Sequence, residues 1–342
     1  SESEVYGPQR RRILDRLEGE HDNLQAALDW ALGQGDAQTA LRLVGALWRF
    51  WQMRGYLREG RRFAERALAL PEADRHLQAR LMALGAAGGI AHWQMDQEGQ
   101  LDHYREALAL ARRLGDEAAI ANALYDLSFP VYFGALLRED GKGLQLPPED
   151  PNALDQARAM WAEGLGLYEA GGDRHGMAKI LWFRGFDRAV MGDLAGAEED
   201  LNFALAAFED AEDVFMSAWA HYGLANVADI AGDYRAARSR FTETLRLFAE
   251  AGDTTGVVFQ LELLAKLEAT RGDPERAARL AGAATALRAE SGTELISGFI
   301  GIPLPEDLIR DDSTAAEWEE GKAMRREEAV TYALEEVTAP AS

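Results

Sequence analysis

The chain has 342 residues, of which 47% are hydrophobic and 27% charged, and it carries a formal net charge of −22 and no cysteine. This composition is typical of a folded protein, and the excess of acidic residues opposes binding to the phosphates of nucleic acids. The absence of cysteine excludes disulfides, thiolate zinc sites, iron–sulfur clusters and a cysteine nucleophile.

Residues 1–35 predict N-terminal capping helices. Apolar residues recur at helical spacing between residues 13 and 31. The chain starts at Ser1 without an initiator methionine or a basic and apolar leader, so we expect a fragment of a cytoplasmic protein.

From residue 36 to residue 292 the sequence is repetitive. A small residue, in most copies followed by leucine, recurs every 40 residues, with one longer interval of 57 residues. The sequence here is rich in Ala, Leu, Glu and Arg and shows no sustained alternation of apolar and polar residues with a period of two. We therefore expect an all-α array of six helical hairpins. The small residues that set this register are Ala67, Ala107, Gly164, Ala204, Thr244 and Ala284.

Glycine–aspartate pairs keep the same register. Such a pair is typical of a helix that ends at glycine and a following helix that is capped by aspartate. Each unit is therefore predicted to contain helix A, a tight turn, helix B and a second turn. The pairs begin at Gly115, Gly172, Gly192, Gly232, Gly252 and Gly272.

The longer interval predicts an insertion near residues 135–151, between the two helices of the third unit, where Gly and Pro are frequent. The sequence of this insertion is compatible with a lid or contact surface and also with a tolerated disordered loop. After the array, residues 293–342 predict C-terminal capping helices. Residues 118–137 approach the length of a membrane span, but Asn122, Asp126 and Pro130 favour a helix buried among others.

The repeat resembles the tetratricopeptide family. One copy carries Leu224-Ala225 on helix A, Gly232-Asp233-Tyr234 at the turn, and then Ala237, Phe241 and Thr244-Leu245 on helix B. The resemblance implies a right-handed α-solenoid of about six repeats, each 40 residues long.

Three segments resemble the C-terminal repeat region of bacterial signal-transduction ATPases of the maltose-regulator and antibiotic-regulator type: residues 16–24, 60–68 and 318–330. The resemblance implies a sensor region that follows nucleotide-binding and DNA-binding domains. We expect these upstream domains to be absent from this fragment, because the sequence has no phosphate-binding loop.

The tetratricopeptide pattern implies which positions of helix A face the concave groove, and these positions are rich in aromatic residues. Such a groove suits a peptide, a sugar or another small-molecule inducer with apolar faces and polar edges. The alternative is that the rings only pack neighbouring A helices together, and Trp48 and Trp51 are assigned to packing. The same register also places Gln52, Met53, Glu262 and Lys266 on the groove. The candidate ligand-binding residues are Arg49, His92, Trp93, Asn122, Tyr125, Phe129, Tyr132, Lys179, Trp182, Phe186, Trp219, Tyr222 and Asn226.

The sequence contains no pattern that indicates catalysis. The six histidines form no His-Glu-x-x-His motif, and no Gly-x-Ser-x-Gly elbow is present. We therefore expect no metal, no cofactor, no enzyme activity, no direct nucleic-acid binding and no membrane association. The predicted function is a non-catalytic sensor module that binds an inducer or peptide; the alternative is a protein–protein interaction scaffold without a small-molecule ligand.

Overall fold

The computed structural model describes residues 10–137, 145, 148, 150–293 and 313–335. These residues form sixteen α-helices and no strand, which confirms the predicted all-α fold. The helices are α1 Arg10–Gly19, α2 His21–Gln34, α3 Ala37–Arg54, α4 Leu57–Leu68, α5 Leu77–Trp93, α6 Gln97–Leu114, α7 Glu117–Leu136, α8 Asp155–Gly171, α9 Arg174–Val190, α10 Leu194–Asp210, α11 Val214–Ile230, α12 Tyr234–Ala251, α13 Thr254–Thr270, α14 Pro274–Ser291, α15 Ala315–Lys322 and α16 Arg326–Leu334.

Helices α3 to α14 form six consecutive hairpins, each of an odd-numbered helix A and an even-numbered helix B. The chain is therefore the predicted α-solenoid. In the third hairpin, α7 ends at Leu136, and a short 3-10 helix, Pro151–Leu154, precedes α8. Most of the predicted insertion, residues 138–144, 146, 147 and 149, lies outside the described residues.

The glycine–aspartate pairs form the turns as predicted. Gly115 ends α6 with a φ of +68°, a left-handed conformation that glycine adopts without steric cost. Asp116 then caps α7, and its Oδ1 accepts a hydrogen bond of 3.0 Å from the Ala119 amide. This pairing satisfies amides that a helix start otherwise leaves unbonded. The sequence signal thus fixes where each helix of the array begins and ends.

Close packing within a hairpin depends on small residues. A Cβ atom added to Gly88 on α5 would collide with the ring of Tyr104 on α6. Between neighbouring A helices, a Cβ atom on Gly45 would lie 2.7 Å from the Cβ of Met82. Glycine therefore lets α5 approach both α6 and α3, and larger residues at these positions would separate the helices.

The two ends of the array carry additional helices. Helices α1 and α2 pack against α3, and α1 also contacts α12. Helix α15 crosses α14 closely, because Gly282 and Gly321 leave room for the backbone of the opposite helix. Residues 1–9, 294–312 and 336–342 of the predicted caps lie outside the described residues. Among the helices above, none is long and apolar enough to cross a bilayer.

The array closes on itself. The first A helix, α3, contacts the last A helix, α13, although the two are separated by about 200 residues in sequence. The six A helices therefore surround a common interior, and the B helices other than α6 lie outside them.

Candidate functional site

The six A helices, together with α6, line a cavity of about 500 Å³ that is partly open to solvent. This volume lies in the range of about 300–1,000 Å³ that is usual for small-molecule sites. The lining is mainly aromatic and contains a smaller set of charged, amide and imidazole groups. The aromatic residues that line it are Trp48, Trp93, Tyr104, Tyr125, Phe129, Tyr132, Phe133, Trp182, Phe183, Phe186, Phe215, Trp219, Tyr222 and Phe259.

Twelve of the thirteen candidate ligand-binding residues line this cavity. The exception is Asn226, which does not line it. The Asn226 side-chain amide instead donates a 2.8 Å hydrogen bond to the Tyr222 carbonyl, one turn earlier on α11. The structure thus brings the other twelve together, while their binding role stays a prediction.

Four further register positions do not face the cavity. Gln52 and Met53 are completely buried, and Glu262 is buried in an ion pair of 2.9 Å with Arg288. Lys266 also lies outside the lining. The groove assignment is wrong at these positions: Gln52 packs where the two ends of the array meet, and Glu262 is paired with α14 of its own hairpin.

Sequence reasoning also missed some of the lining. Trp48, assigned to packing, faces the cavity, and the Arg49 guanidinium stacks at 3.7 Å from the centre of its ring. The same guanidinium lies 4.9 Å from the ring of Phe215 on α11. Polar lining residues outside the prediction are Gln100, Asp126, His175 and Asp213. Trp48 directly precedes Arg49, which was predicted to face the groove, and this adjacency was the sequence signal for the position of Trp48.

The rings both pack together and face the cavity. Phe129 stacks on Phe183 with 4.2 Å between ring centres, and the Trp182 indole donates a 2.8 Å hydrogen bond to the Trp219 carbonyl. Trp182 and Trp219 are only 7% and 8% exposed. Most of their surface is therefore committed to neighbouring helices, and the remaining edges are what an occupant would contact.

One glycine in the lining, Gly85, leaves free volume in the cavity. In the repeat register, Gly45 on α3 and Gly85 on α5 occupy the position filled by Tyr125, Trp182 and Tyr222 on the next three A helices. A Cβ atom on Gly85 would meet no other atom within 4 Å. The absence of a side chain at Gly85 therefore leaves space in the cavity.

A polar group lies on the side of the cavity formed by α7 and α9. Lys179 Nζ is 2.5 Å from Asn122 Oδ1, which also accepts a 2.8 Å hydrogen bond from the Tyr168 hydroxyl. The ammonium is 5.0 Å from the ring centre of Tyr125. A cation held by an amide and an aromatic face can also bind an anionic or carbonyl oxygen.

His92 adds an imidazole to the lining. Burial lowers its pKa from 6.5 to about 4, and the nearby positive charge of Arg49 acts in the same direction. The ring is therefore neutral at pH 7, with one nitrogen as donor and the other as acceptor. Its Nδ1 lies 3.2 Å from the Gln100 side-chain nitrogen.

The lowered pKa of His92 predicts acid sensitivity. The unfolded chain binds a proton near pH 6.5, whereas the folded chain does so only near pH 4, so stability is lost as the pH falls between these values. From pH 7 to pH 5 this residue should remove about 2 kcal/mol from the free energy of unfolding. Urea unfolding at both pH values measures the loss.

The matched variant is His92→Gln, which keeps a polar side chain without a titrating group. Its stability should fall less between pH 7 and pH 5 than that of the parent chain. Equal losses in the two proteins would show that His92 does not carry the acid sensitivity. His103 and His221, whose pKa values are also lowered by burial, remain in both proteins and cancel in the comparison.

The residues that the structure describes contain no group of three or more His, Cys, Asp or Glu side chains able to hold a metal ion. No family model matches the chain. Over 200 residues, covering 55% of the chain, it is 28% identical to proteins of Mycobacterium tuberculosis and Mycobacterium bovis named as HTH-type transcriptional regulators. The chain spans 20% of the length of these relatives.

Among solved structures, a Rap protein complexed with Competence and Sporulation Factor aligns with a TM-score of 0.59 and 14% sequence identity. The alignment covers 88% of this chain and 86% of that chain. The chain has a tetratricopeptide-like repeat fold. The predicted resemblance to the repeat region of a transcriptional regulator is confirmed by the two comparisons together, and neither kind of relative is named as an enzyme.

Proposed function

We propose that the chain is the non-catalytic sensor region of a bacterial cytoplasmic transcriptional regulator and that its central cavity binds the signal, a small-molecule inducer or a short peptide. The observation that carries this proposal is the central cavity of about 500 Å³, lined by rings and by a few polar groups. The nucleotide-binding and DNA-binding domains of such a regulator would be separate from this region.

The size of the cavity favours a small ligand over a partner helix. Its volume of about 500 Å³ lies within the range of about 300–1,000 Å³ that is usual for small-molecule sites. The closed array also leaves no open groove along which such a helix would lie. These two facts favour an inducer over the scaffold alternative.

The chemistry of the lining suggests what the ligand carries. Ring edges from α7, α9 and α11 suit an apolar, planar body. Arg49 on α3 and Lys179 on α9 place cationic groups on two different helices of the lining. An aromatic or unsaturated compound with an anionic or carbonyl oxygen fits this combination.

An occupant would contact all six A helices at once, because each contributes to the lining. If the array has two shapes, a ligand that contacts the cavity walls better in one shape shifts the population toward it. This population shift is how ligand binding would be transmitted to the attached domains.

The expected result of replacing Gly85 by leucine is loss of binding without loss of stability. The side chain would enter free space within the cavity, and replacing a helical glycine adds about 0.5–1 kcal/mol of stability. The probe is 1-anilinonaphthalene-8-sulfonate, an aromatic anion, detected by energy transfer from the cavity tryptophans. We expect at least tenfold weaker binding in Gly85→Leu.

The matched control is Gly166→Leu on the exposed side of α8, where an added Cβ also meets no other atom within 4 Å. Its affinity for the probe should equal that of the parent chain. Equal binding by both variants would place the probe outside the cavity and count against a ligand site there. Compounds that displace the probe from the parent chain then become candidate inducers.

A further inference from the structure

The first and last hairpins meet along a contact that we call the seam, defined by Gln52 and Gly55 at the end of α3, Asp253 and Thr255 at the start of α13, and Ser291 and Thr293 at the end of α14. Gln52 is completely buried, and its side-chain nitrogen donates a hydrogen bond of 3.1 Å to Asp253 Oδ1 and another to Thr255 Oγ1. The Thr293 hydroxyl donates a 3.2 Å hydrogen bond to the carbonyl of Trp93, at the end of α5. Gln52, Asp253, Thr255 and Thr293 are all buried.

The seam differs from the other contacts between hairpins. Neighbouring hairpins share extensive helix–helix packing, whereas α3 and α13 touch over a smaller area. The hydrogen bonds recorded across the seam join buried amide, carboxylate and hydroxyl groups. Such bonds add about 0.5–1.5 kcal/mol each, or about 1.5–3 kcal/mol where the acceptor is a carboxylate, because water replaces them when the surfaces separate. Opening the seam therefore costs less than separating apolar helix faces.

Unsatisfied polar atoms lower this cost further. The Gln52 side-chain oxygen is buried and has no hydrogen-bond partner among the described residues. On α13, Gln260 is completely buried, and neither atom of its amide has a partner in the same part of the chain. Each buried polar group without a partner costs about 1–3 kcal/mol. Water that reaches the Gln52 oxygen on opening would recover part of this penalty.

The seam borders the cavity. Arg49 and Trp48, which line it, lie about one turn before Gln52 on α3. Phe259, which lines it from α13, lies one turn after Thr255. Separation of α3 from α13 would thus part the cavity wall between Arg49 and Phe259, and the rest of the array would stay connected through the remaining hairpins.

We propose that the closed array opens at the seam and that this opening widens access to the cavity. An occupant that touches both α3 and α13 would then hold the seam closed, so the seam would report the presence of ligand to the outside of the molecule. The proposal rests on the proposed function only in taking the cavity as the site that is filled.

A reversible lock on the seam tests this proposal. The chain has no cysteine, and a Cβ atom on Gly55 would lie 3.0 Å from that of Ser291. A disulfide needs about 3.5–4.5 Å between these atoms, so a small shift allows Gly55→Cys with Ser291→Cys to form one. Exposed Trp30 is first replaced by phenylalanine to remove its signal. Acrylamide then serves as the probe that quenches the cavity tryptophans.

The oxidised double variant should show at least threefold slower quenching of the protected tryptophans than the same protein after reduction. The reduced form is the matched control, because it carries both substitutions and their strain at Gly55, where φ is +83°. Equal quenching in the two forms would show that access does not depend on the seam and would overturn the proposal.

Hydrogen exchange on the unmodified chain gives a second readout. The amides of Gly256 and Gly176 each donate to the aspartate that caps their helix, at 3.0 and 2.8 Å, and both residues are buried. Opening at the seam predicts faster exchange at Gly256 than at Gly176. Equal protection would contradict it. If the chain shows these effects but does not bind the sulfonate probe, the proposal for the seam stands and the proposed function fails.

Discussion

Replacement of Trp219 by alanine should lower the free energy of unfolding by about 3–5 kcal/mol, the range found when a large buried aromatic side chain is removed. Trp219 lies on α11 and is 8% exposed. It contacts rings from α5, α9, α11, α12 and α13, so its removal would leave a void between several hairpins. The rings within 6.5 Å of it are Trp93, Trp182, Phe215, Tyr222, Phe248 and Phe259.

Trp30→Ala provides the control for this prediction. Trp30 lies on α2 and is 63% exposed, so its removal should change stability by less than about 0.5 kcal/mol. Urea unfolding followed by circular dichroism measures both variants. Similar losses would show that the Trp219 ring is not part of the packed core. Because Trp219 both packs and lines the cavity, its substitution cannot isolate a binding role, which Gly85→Leu can.

Asp253→Ala should destabilise the chain by about 2–4 kcal/mol. Its Oδ1 caps α13 by accepting from the Gly256 amide and also accepts hydrogen bonds from Gln52 and from the Thr255 hydroxyl, at 3.1 and 2.8 Å. Loss of a helix cap costs about 1 kcal/mol. The remainder comes from the buried Gln52 amide, which would lose one of its two acceptors at the seam.

Asp233→Ala separates the two contributions. Asp233 caps α12 through a 2.9 Å hydrogen bond from the Ala236 amide, but it is exposed and takes no part in the seam. This variant should lose only the cap, about 1 kcal/mol. Thermal and urea unfolding of the two proteins at pH 7 give the difference. A difference near zero would mean that the Gln52 contact adds no stability.

The repeat architecture was predictable because its signals are local. A glycine that ends a helix and an aspartate that caps the next act over a few residues, as at Gly115 and Asp116. The small residue that recurs every 40 residues, with one longer interval, then predicts the number and order of the hairpins. The short range of these interactions is what allowed the sequence to predict the helices of the array.

Closure of the array was not predictable in the same way. The angle between successive hairpins depends on side-chain volumes at every interface, such as Gly45 against Met82, and small differences accumulate over six units. The repeat register carries no information on these angles. It therefore assigned Gln52 to the groove, although Gln52 lies at the seam. The repeat register predicts the arrangement within one hairpin, but it does not predict where the sixth hairpin meets the first.

Some features of the cavity lining were predictable from the sequence and others were not. Residues in the middle units, such as Tyr125, Phe129 and Trp182, have flanking hairpins on both sides, so the register placed them on the cavity. The sequence could not decide how much of each ring is buried, because that depends on the diameter of the closed array. The low pKa of His92 has the same origin, since it follows from enclosure.

The contact between α3 and α13 also limits how this protein can vary. An open solenoid gains or loses whole repeats with little effect on those that remain, since each unit interacts only with its neighbours. Here a deletion or duplication of 40 residues would move Gln52 away from Asp253 and Thr255. The number of units is therefore set by geometry, and circular permutants that begin at a different hairpin should be tolerated better than arrays of five or seven.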